Sequence, residues 1–309
     1  MNAQFSEPGV RRIMQKLLFL MNPNAGQRKV NRVLPEIISI FNESGYEVTV
    51  FVTTGPGSGA AIVEPRAWDY DLIVCAGGDG TLNETITGVL RAGADCPIGY
   101  IPCGSTNDFA ATLKLSTDVI QAAKDIVEGG EQTYDVGLFN GRYFSYVASF
   151  GAFTRVSYAT PQNMKNLLGH LAYVLEGIQE LPQIRHIPMS LELDGQPVEG
   201  QFLFGSVSNS TSVGGVLNLN PSQVDMRDGR FEILLIRAPK NLTELSECIL
   251  ALQSQKYDNC AMITFRSASK VKVYADPRMP WTLDGEREDG HEEVLVENIH
   301  QAIRLIQKV

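Results

Sequence analysis

Along the first 130 residues, short apolar runs alternate with amphipathic stretches, and few folds accept that rhythm. Lys16–Met21 reads as a buried strand. Val30, Val33, Leu34, Ile37, Ile38 and Phe41 then fall at i, i+3, i+4, i+7, i+8 and i+11, one face of a helix ending near Gly45. The pattern further predicts a strand at Tyr46–Val52, a short helix over Gly59–Arg66 stopped by Pro65, and a strand at Asp71–Cys75. Leu82, Ile86, Val89 and Leu90 mark another helical face, and Ile98–Ile101 and Val119–Val127 supply one more strand and helix. Strand–helix alternation at this spacing means an α/β domain: a parallel sheet covered on both faces.

From about Thr133 the texture changes. Tyr143–Phe150, Ile187–Leu193, Val198–Val207, Phe231–Ile236, Met262–Phe265 and Val271–Tyr274 are short, β-rich and separated by turn residues. Leu193-Asp194-Gly195-Gln196 is a hairpin signal. The exception is Gln162–Leu181, where Leu167, Leu168, Leu171, Val174, Leu175 and Ile178 predict a helix packed on the core. The expectation is a mainly antiparallel β domain following the α/β one, and a length of 309 residues suits two domains.

Charge narrows the function. The chain carries 26 Lys+Arg against 35 Asp+Glu, a net −9, and residues 1–132 hold 10 basic and 15 acidic groups, so the acidity is evenly spread. A nucleic-acid binder would need a basic footprint, so no nucleic-acid partner is expected. No run of 18 apolar residues offers a transmembrane segment, and no secretory signal opens the chain. Cys75, Cys96, Cys103, Cys248 and Cys260 form no C-x-x-C pair, which fits a reducing cytoplasm and argues against zinc.

Three turns follow predicted strands, where α/β sheets place ligands: Met21–Gly26, Ala76–Glu84 and Pro102–Asp108. In the middle one, Gly77, Gly78 and Gly80 let backbone approach a phosphate and open straight into a helix, whose free N–H groups would face an anion. Asp79 is the informative residue, because a carboxylate beside phosphates must cap backbone N–H groups or act through a divalent cation. Thr81 could cap the helix or donate to a phosphate. Gly55-Pro56-Gly57-Ser58-Gly59-Ala60 imitates a dinucleotide fingerprint, but it follows the second strand and Pro56 removes an amide. The preceding Thr53 is a hydroxyl source near the nucleotide. No P-loop or protein-kinase string occurs.

Asn22-Pro23-x-x-Gly26, Gly77-Gly78-Asp79-Gly80-Thr81-x-Asn83-Glu84 and Pro102-x-Gly104-Ser105-x-Asn107-Asp108-Phe109-Ala110 resemble the diacylglycerol kinase catalytic-domain signature. That family includes soluble bacterial diacylglycerol kinases and sphingosine kinases. The resemblance continues through Asp135-Val136-Gly137, the stretch from Asn220-Pro221 to Asp228-Gly229, and Trp281-x-Leu283-Asp284-Gly285-Glu286. It implies an N-terminal domain like those of NAD kinases and 6-phosphofructokinases over residues 1–132, with the chain returning to it at about 297–309. Residues 133–296 would form the lipid-substrate domain carrying the catalytic base.

The implied activity is transfer of phosphate from Mg-ATP to a lipid hydroxyl, foremost diacylglycerol to phosphatidate. The implied nucleotide contacts are Asn22, Pro23, Asn24, Gly26, Thr53, Gly77, Gly78, Asp79, Gly80, Thr81, Asn83, Glu84, Ser105 and Asn107. The resemblance assigns Glu286 the proton-acceptor role with Asp284 beside it. If the segment is extended, the two carboxylates share a face. It matches Asp225, Asp228 and the backbone of Arg230 to the family's Mg²⁺ loop, although Arg227-Asp228 stands where many relatives have two acidic or amide residues. A chain of this kind would work peripherally at the inner membrane face on a bilayer lipid, and a homodimer is compatible. The rival expectations are an NAD kinase-type phosphotransferase and a non-catalytic nucleotide or lipid sensor.

Overall fold

Four parallel strands build the first layer of the computed structural model, which describes residues 14–151, 187–213 and 217–308. They are β1 (Gln15–Met21), β2 (Tyr46–Val52), β3 (Leu72–Gly77) and β4 (Ile98–Pro102), in the spatial order β4-β3-β1-β2. Period-2 alternation sends their side chains to two separate cores. Leu17, Phe19, Leu72 and Val74 meet Val30, Ile37 and Phe41 of α1 (Lys29–Glu43) and Val119, Ala122 and Ala123 of α5 (Val119–Glu128). Leu18, Leu20, Ile73 and Cys75 meet Val63 of α2 (Ser58–Val63) and Leu82, Ile86 and Val89 of α3 (Asp79–Ala92). The expected doubly covered parallel sheet is what forms.

The rest is antiparallel apart from the contact of its last strand with β4. Its strands are β5 (Gly130–Phe139), β6 (Arg142–Phe144), β7 (Val147–Gly151), β8 (Ile187–Leu193), β9 (Gln196–Ser208), the small pair β10 (Ser212–Val213) and β11 (Leu217–Asn218), and β12 (Phe231–Arg237). They are followed by β13 (Ile263–Ala268), β14 (Lys270–Tyr274), β15 (Trp281–Leu283), β16 (Glu286–Glu288) and β17 (Glu293–Gln307). Trp281, Phe139 and Phe150 stack edge-on in this domain's core. Asp194 and Gly195 take φ of 48° and 81°, the left-handed pair that the β8–β9 hairpin requires.

β17 joins the two layers. Its first half pairs with β14, its length pairs with β5, and Leu305 and Ile306 lie parallel to Ile98 and Gly99 of β4. Among the described residues, thirteen strands besides β4 and β17 share the one sheet that results, 15 in all. The β5–β17 register slips between Ile299 and Ile303, where the N–H of Gln301 turns aside to Asp135 Oδ1 at 2.7 Å.

Three features depart from the sequence reading. Tyr143–Phe150 is two strands, because the N–H groups of Ser145, Tyr146 and Val147 bond a side chain, Asp284, in place of a neighbouring strand. Two helices were not anticipated: α4 (Asp108–Leu113) and α6 (Leu242–Ser254). The expected helix over Gln162–Leu181 lies outside the described residues. Among the described residues, no helix is long and apolar enough to cross a membrane.

Candidate active site

The loops leaving β1, β3 and β4 meet at the C-terminal edge of the parallel sheet. Gly78 and Gly104 are in backbone contact: a Cβ built on Gly104 would lie 2.4 Å from Gly78 Cα. Gly26, at φ 49°, is seated so tightly on the β4 loop that a Cβ would fall 1.8 Å from Cys103 O. Side chains then fasten the loops. Asp79 accepts the N–H of Asp108 at 3.0 Å and of Phe109 at 3.3 Å, and the Thr106 hydroxyl at 3.4 Å. Asn107 Oδ1 takes the Gly104 N–H at 2.9 Å, and Asn22 Oδ1 takes that of Asn24 at 3.0 Å. Pro23 O accepts from Asn31 Nδ2. Ser105 stays exposed.

Among the described residues no side chain caps α3, so the helix end at Gly78–Gly80 presents its backbone to the cleft. Thr81 is buried beneath Gly77 rather than turned outward, its Oγ1 2.3 Å from where a Gly77 Cβ would be. Glu84 is also committed: its two oxygens accept the N–H groups of Gly57 (2.6 Å) and Gly59 (2.7 Å) at the start of α2. That holds the Thr53–Gly57 loop in place, with the Thr53 N–H on Met21 O.

The second domain reaches this edge through Asp284. Asp284 and Gly285 form a turn with φ of 50° and 85° between β15 and β16. The buried carboxylate accepts Ser145 N–H (2.5 Å), Tyr146 N–H and Val147 N–H (3.0 Å each) and Asn83 Nδ2 (2.9 Å) from α3. The expectation of two carboxylates sharing an extended face is therefore corrected. Asp284 sits in a turn and points inward, fully hydrogen-bonded, while Glu286 starts the next strand. Glu286 is half-exposed, with Oε1 3.7 Å from where a Gly80 Cβ would be. Further seams join the domains: Ser212 Oγ donates to Asp108 Oδ1 at 2.8 Å, and Thr112 and Ser210 hydroxyls meet at 2.8 Å.

A cavity of about 290 Å³ runs along one face of α3, past Gly80, Asn83, Glu84, Thr87 and Arg91, with Arg142 and Glu286 on the opposite wall. A hollow of about 390 Å³ beside Lys16 and Tyr70 lies at the other end of the parallel strands, away from these groups. Burial pushes Asp79 up to about 6, against its hydrogen bonds, and Asp108 adds to the rise. Burial likewise pushes Asp284 up to about 6, and Asp79 contributes. Tyr146 is raised by burial and by the same carboxylates.

Asp225, Asp228 and Arg230 stand elsewhere, on the loop before β12, and do not line the cleft. Asp225 accepts the Arg227 N–H and Asp228 the Arg230 N–H. The loop docks on Asp135, whose Oδ2 takes the Gly229 N–H at 2.7 Å while Oδ1 faces His300 Nδ1 at 3.0 Å. Burial raises Asp228, and Asp225 and Asp135 raise it further. Among the described residues no three His, Cys, Asp or Glu side chains converge on one point. Two carboxylates and backbone suit a cation that keeps much of its water, as Mg²⁺ does.

Residues 16–139 match the diacylglycerol kinase catalytic domain, and residues 147–307 match the YegS C-terminal NAD kinase beta sandwich-like domain. A diacylglycerol kinase of Bacillus subtilis (strain 168) is 33% identical over 275 residues, 88% of this chain and 90% of that protein. The chain belongs to the diacylglycerol kinase family. A second family member, from Staphylococcus carnosus, is 33% identical over 86% of this chain and 87% of its own. The crystal structure of a Bacillus anthracis diacylglycerol kinase shares the fold, with a TM-score of 0.73 at 21% identity over 95% of this chain and 97% of that one. Membership in the diacylglycerol kinase family makes this chain a lipid kinase, with ATP as the family's phosphate donor. Two residues of this site escaped the sequence reading. Arg142 follows Asn140-Gly141, a hairpin signal that could have exposed it. Asp108, quoted within a motif, was given no role.

Proposed function

We propose that the chain transfers the γ-phosphate of Mg-ATP to a lipid hydroxyl, with diacylglycerol as acceptor and phosphatidate as product. The observation that carries this reading is the approach of Glu286 to Gly80, two residues 206 positions apart, across the mouth of one cavity. One residue comes from the loop suited to phosphate and the other from the facing domain. In this reading the uncapped start of α3 and the glycine backbone bind phosphate through N–H groups. Asp79, Asn107 and Glu84 act by fastening the loops, since their oxygens already accept backbone N–H groups. Asp284 is a brace. Glu286 accepts the hydroxyl proton.

In this reading Mg²⁺ arrives with the nucleotide and would neutralise charge on the transferring group. Asp225, Asp228 and the Arg230 backbone would hold a second, structural Mg²⁺. The two functional units are residues 1–132 with the return at about 297–309, and residues 133–296. The acceptor reaches the cleft from a bilayer surface.

The test is ³²P transfer from ATP in mixed micelles containing diacylglycerol, phosphatidylglycerol, a sphingoid base or a polyprenol, beside soluble NAD. Label on phosphatidate is expected. Label confined to another acceptor would redirect the substrate, and label on NAD alone would overturn the lipid reading.

A further inference from the structure

Glu286 is gripped by a neighbour on its own wall of the cleft. Arg142 donates from Nη2 to Glu286 Oε2 at 2.7 Å and from Nη1 to Glu288 Oε2 at 2.5 Å. Glu286 and Glu288 are two apart on β16, so one strand face carries both carboxylates and the guanidinium fork spans them. Among the described residues only Oε2 of Glu286 is engaged; its Oε1 is the atom near Gly80.

Two hairpins hold this arrangement. Arg142 directly follows Asn140-Gly141, with φ of 44° and 88°, and Glu286 directly follows Asp284-Gly285, with φ of 50° and 85°. Each is the first strand residue after a two-residue turn with both φ positive, the tightest connection two strands can have. The first turn is tied to β17, Asn140 N–H to Leu295 O at 3.0 Å and Leu295 N–H to Asn140 Oδ1 at 2.8 Å. The second is tied by the buried Asp284. Stability does not account for the grip, because Arg142 and Glu286 side chains are 41% and 56% exposed and solvated pairs stabilise a fold very little.

We propose that Arg142 is a positioning residue that fixes Glu286 so that Oε1 faces the acceptor hydroxyl over Gly80. The inference rests on Glu286 being the proton acceptor. A free glutamate side chain samples many rotamers, and one held at Oε2 reaches the cleft in few of them. A lysine lacks the rigid fork and would hold the two carboxylates less firmly.

The full chain is assayed for phosphorylation of diacylglycerol in mixed micelles as wild type, Arg142→Ala, Arg142→Lys, Glu286→Gln and the Arg142→Ala/Glu286→Gln double variant. Arg142→Ala is expected to lower kcat roughly ten- to a hundredfold, the usual cost of misplacing a reacting group. KM for ATP should stay within about twofold and the melting temperature should hold, since only the positioning of the base is lost. Arg142→Lys should recover part of kcat. In the Glu286→Gln background, Arg142→Ala should cost nothing further, because no base remains to position. Equal losses in both backgrounds, or a raised KM for ATP with kcat intact, would mean that Arg142 acts on the phosphates, and the proposal falls. Full turnover by Glu286→Gln alone would instead remove the base assignment on which the positioning role depends. Should Arg142→Ala fold poorly, Arg142→Met gives the same comparison.

Discussion

Asp284 is a carboxylate whose oxygens are wholly taken up by hydrogen bonds, which suits the bracing role proposed for it. Three consecutive N–H groups and the Asn83 amide converge on its two oxygens, so an amide at this position would set its NH₂ against donors. Asp284→Asn is expected to destabilise the chain by about 1–3 kcal/mol, the cost of buried donors left unpaired. Its pH dependence has a definite sign. Burial, first, and the Asp79 charge raise the folded carboxyl from 3.8 to about 6. The stability linked to this group is therefore complete below about pH 4 and lost as the pH rises through about 6. Asparagine does not titrate, so the deficit of Asp284→Asn should be larger at pH 5 than at pH 7.5. Urea unfolding at the two pH values checks this, and a smaller deficit at pH 5 would refute the assignment. The glycines make a second prediction at this scale. Gly104→Ala drives a methyl group into Gly78 backbone and should collapse ATP affinity, whereas Gly55→Ala, which meets nothing within 4 Å, should be tolerated. Isothermal titration with ATP separates the two.

Helix α2 has six residues and begins at Gly57 without a capping side chain of its own. The cap comes from α3, through Glu84, on the Gly57 and Gly59 N–H groups. Two helices and the Thr53–Gly57 loop are thereby made one body beside the glycine turn. Glu84→Gln leaves one of the two amides facing an NH₂ group. It is expected to cost about 1–2 kcal/mol, in the range of a lost helix cap, and to raise KM for ATP while kcat holds. An unaltered melting temperature would show that the cap is dispensable. Sequence could have found α6 by the same logic. Asn241 Oδ1 accepts the Glu244 N–H at 2.9 Å while Glu244 Oε2 reaches back to the Lys240 N–H at 2.7 Å, one residue before the cap, a close variant of the capping box at the start of an apolar helix. The apolar spacing of that segment alone did not reveal it.

Across the whole molecule, β17 is the strand whose loss should be felt in both domains. Residues from Gln301 onward supply its parallel pairing to β4 and the later half of its ladder with β5, including Leu305 and Ile303 in the core. Deleting residues 301–309 is expected to lower the melting temperature and weaken ATP binding together, as read by differential scanning fluorimetry with and without ATP. Unchanged values of both would deny β17 this role. The apolar rhythm determined the α/β layer, because a strand covered on both faces must be apolar throughout and its helices must repeat at 3.6. The strand-following glycine turns marked the edge of that layer where the proposed phosphate site lies, by local chemistry alone. Tertiary structure decided the rest, for a consistent physical reason: a side chain's role depends on which partners reach it. Asp79, Glu84 and Asp284 look like ligands in sequence, yet each spends its oxygens on backbone N–H groups 25 to 139 residues away. Glu286 is left half-exposed above Gly80, with Arg142 at its side, because two tight turns in distant parts of the chain are brought face to face.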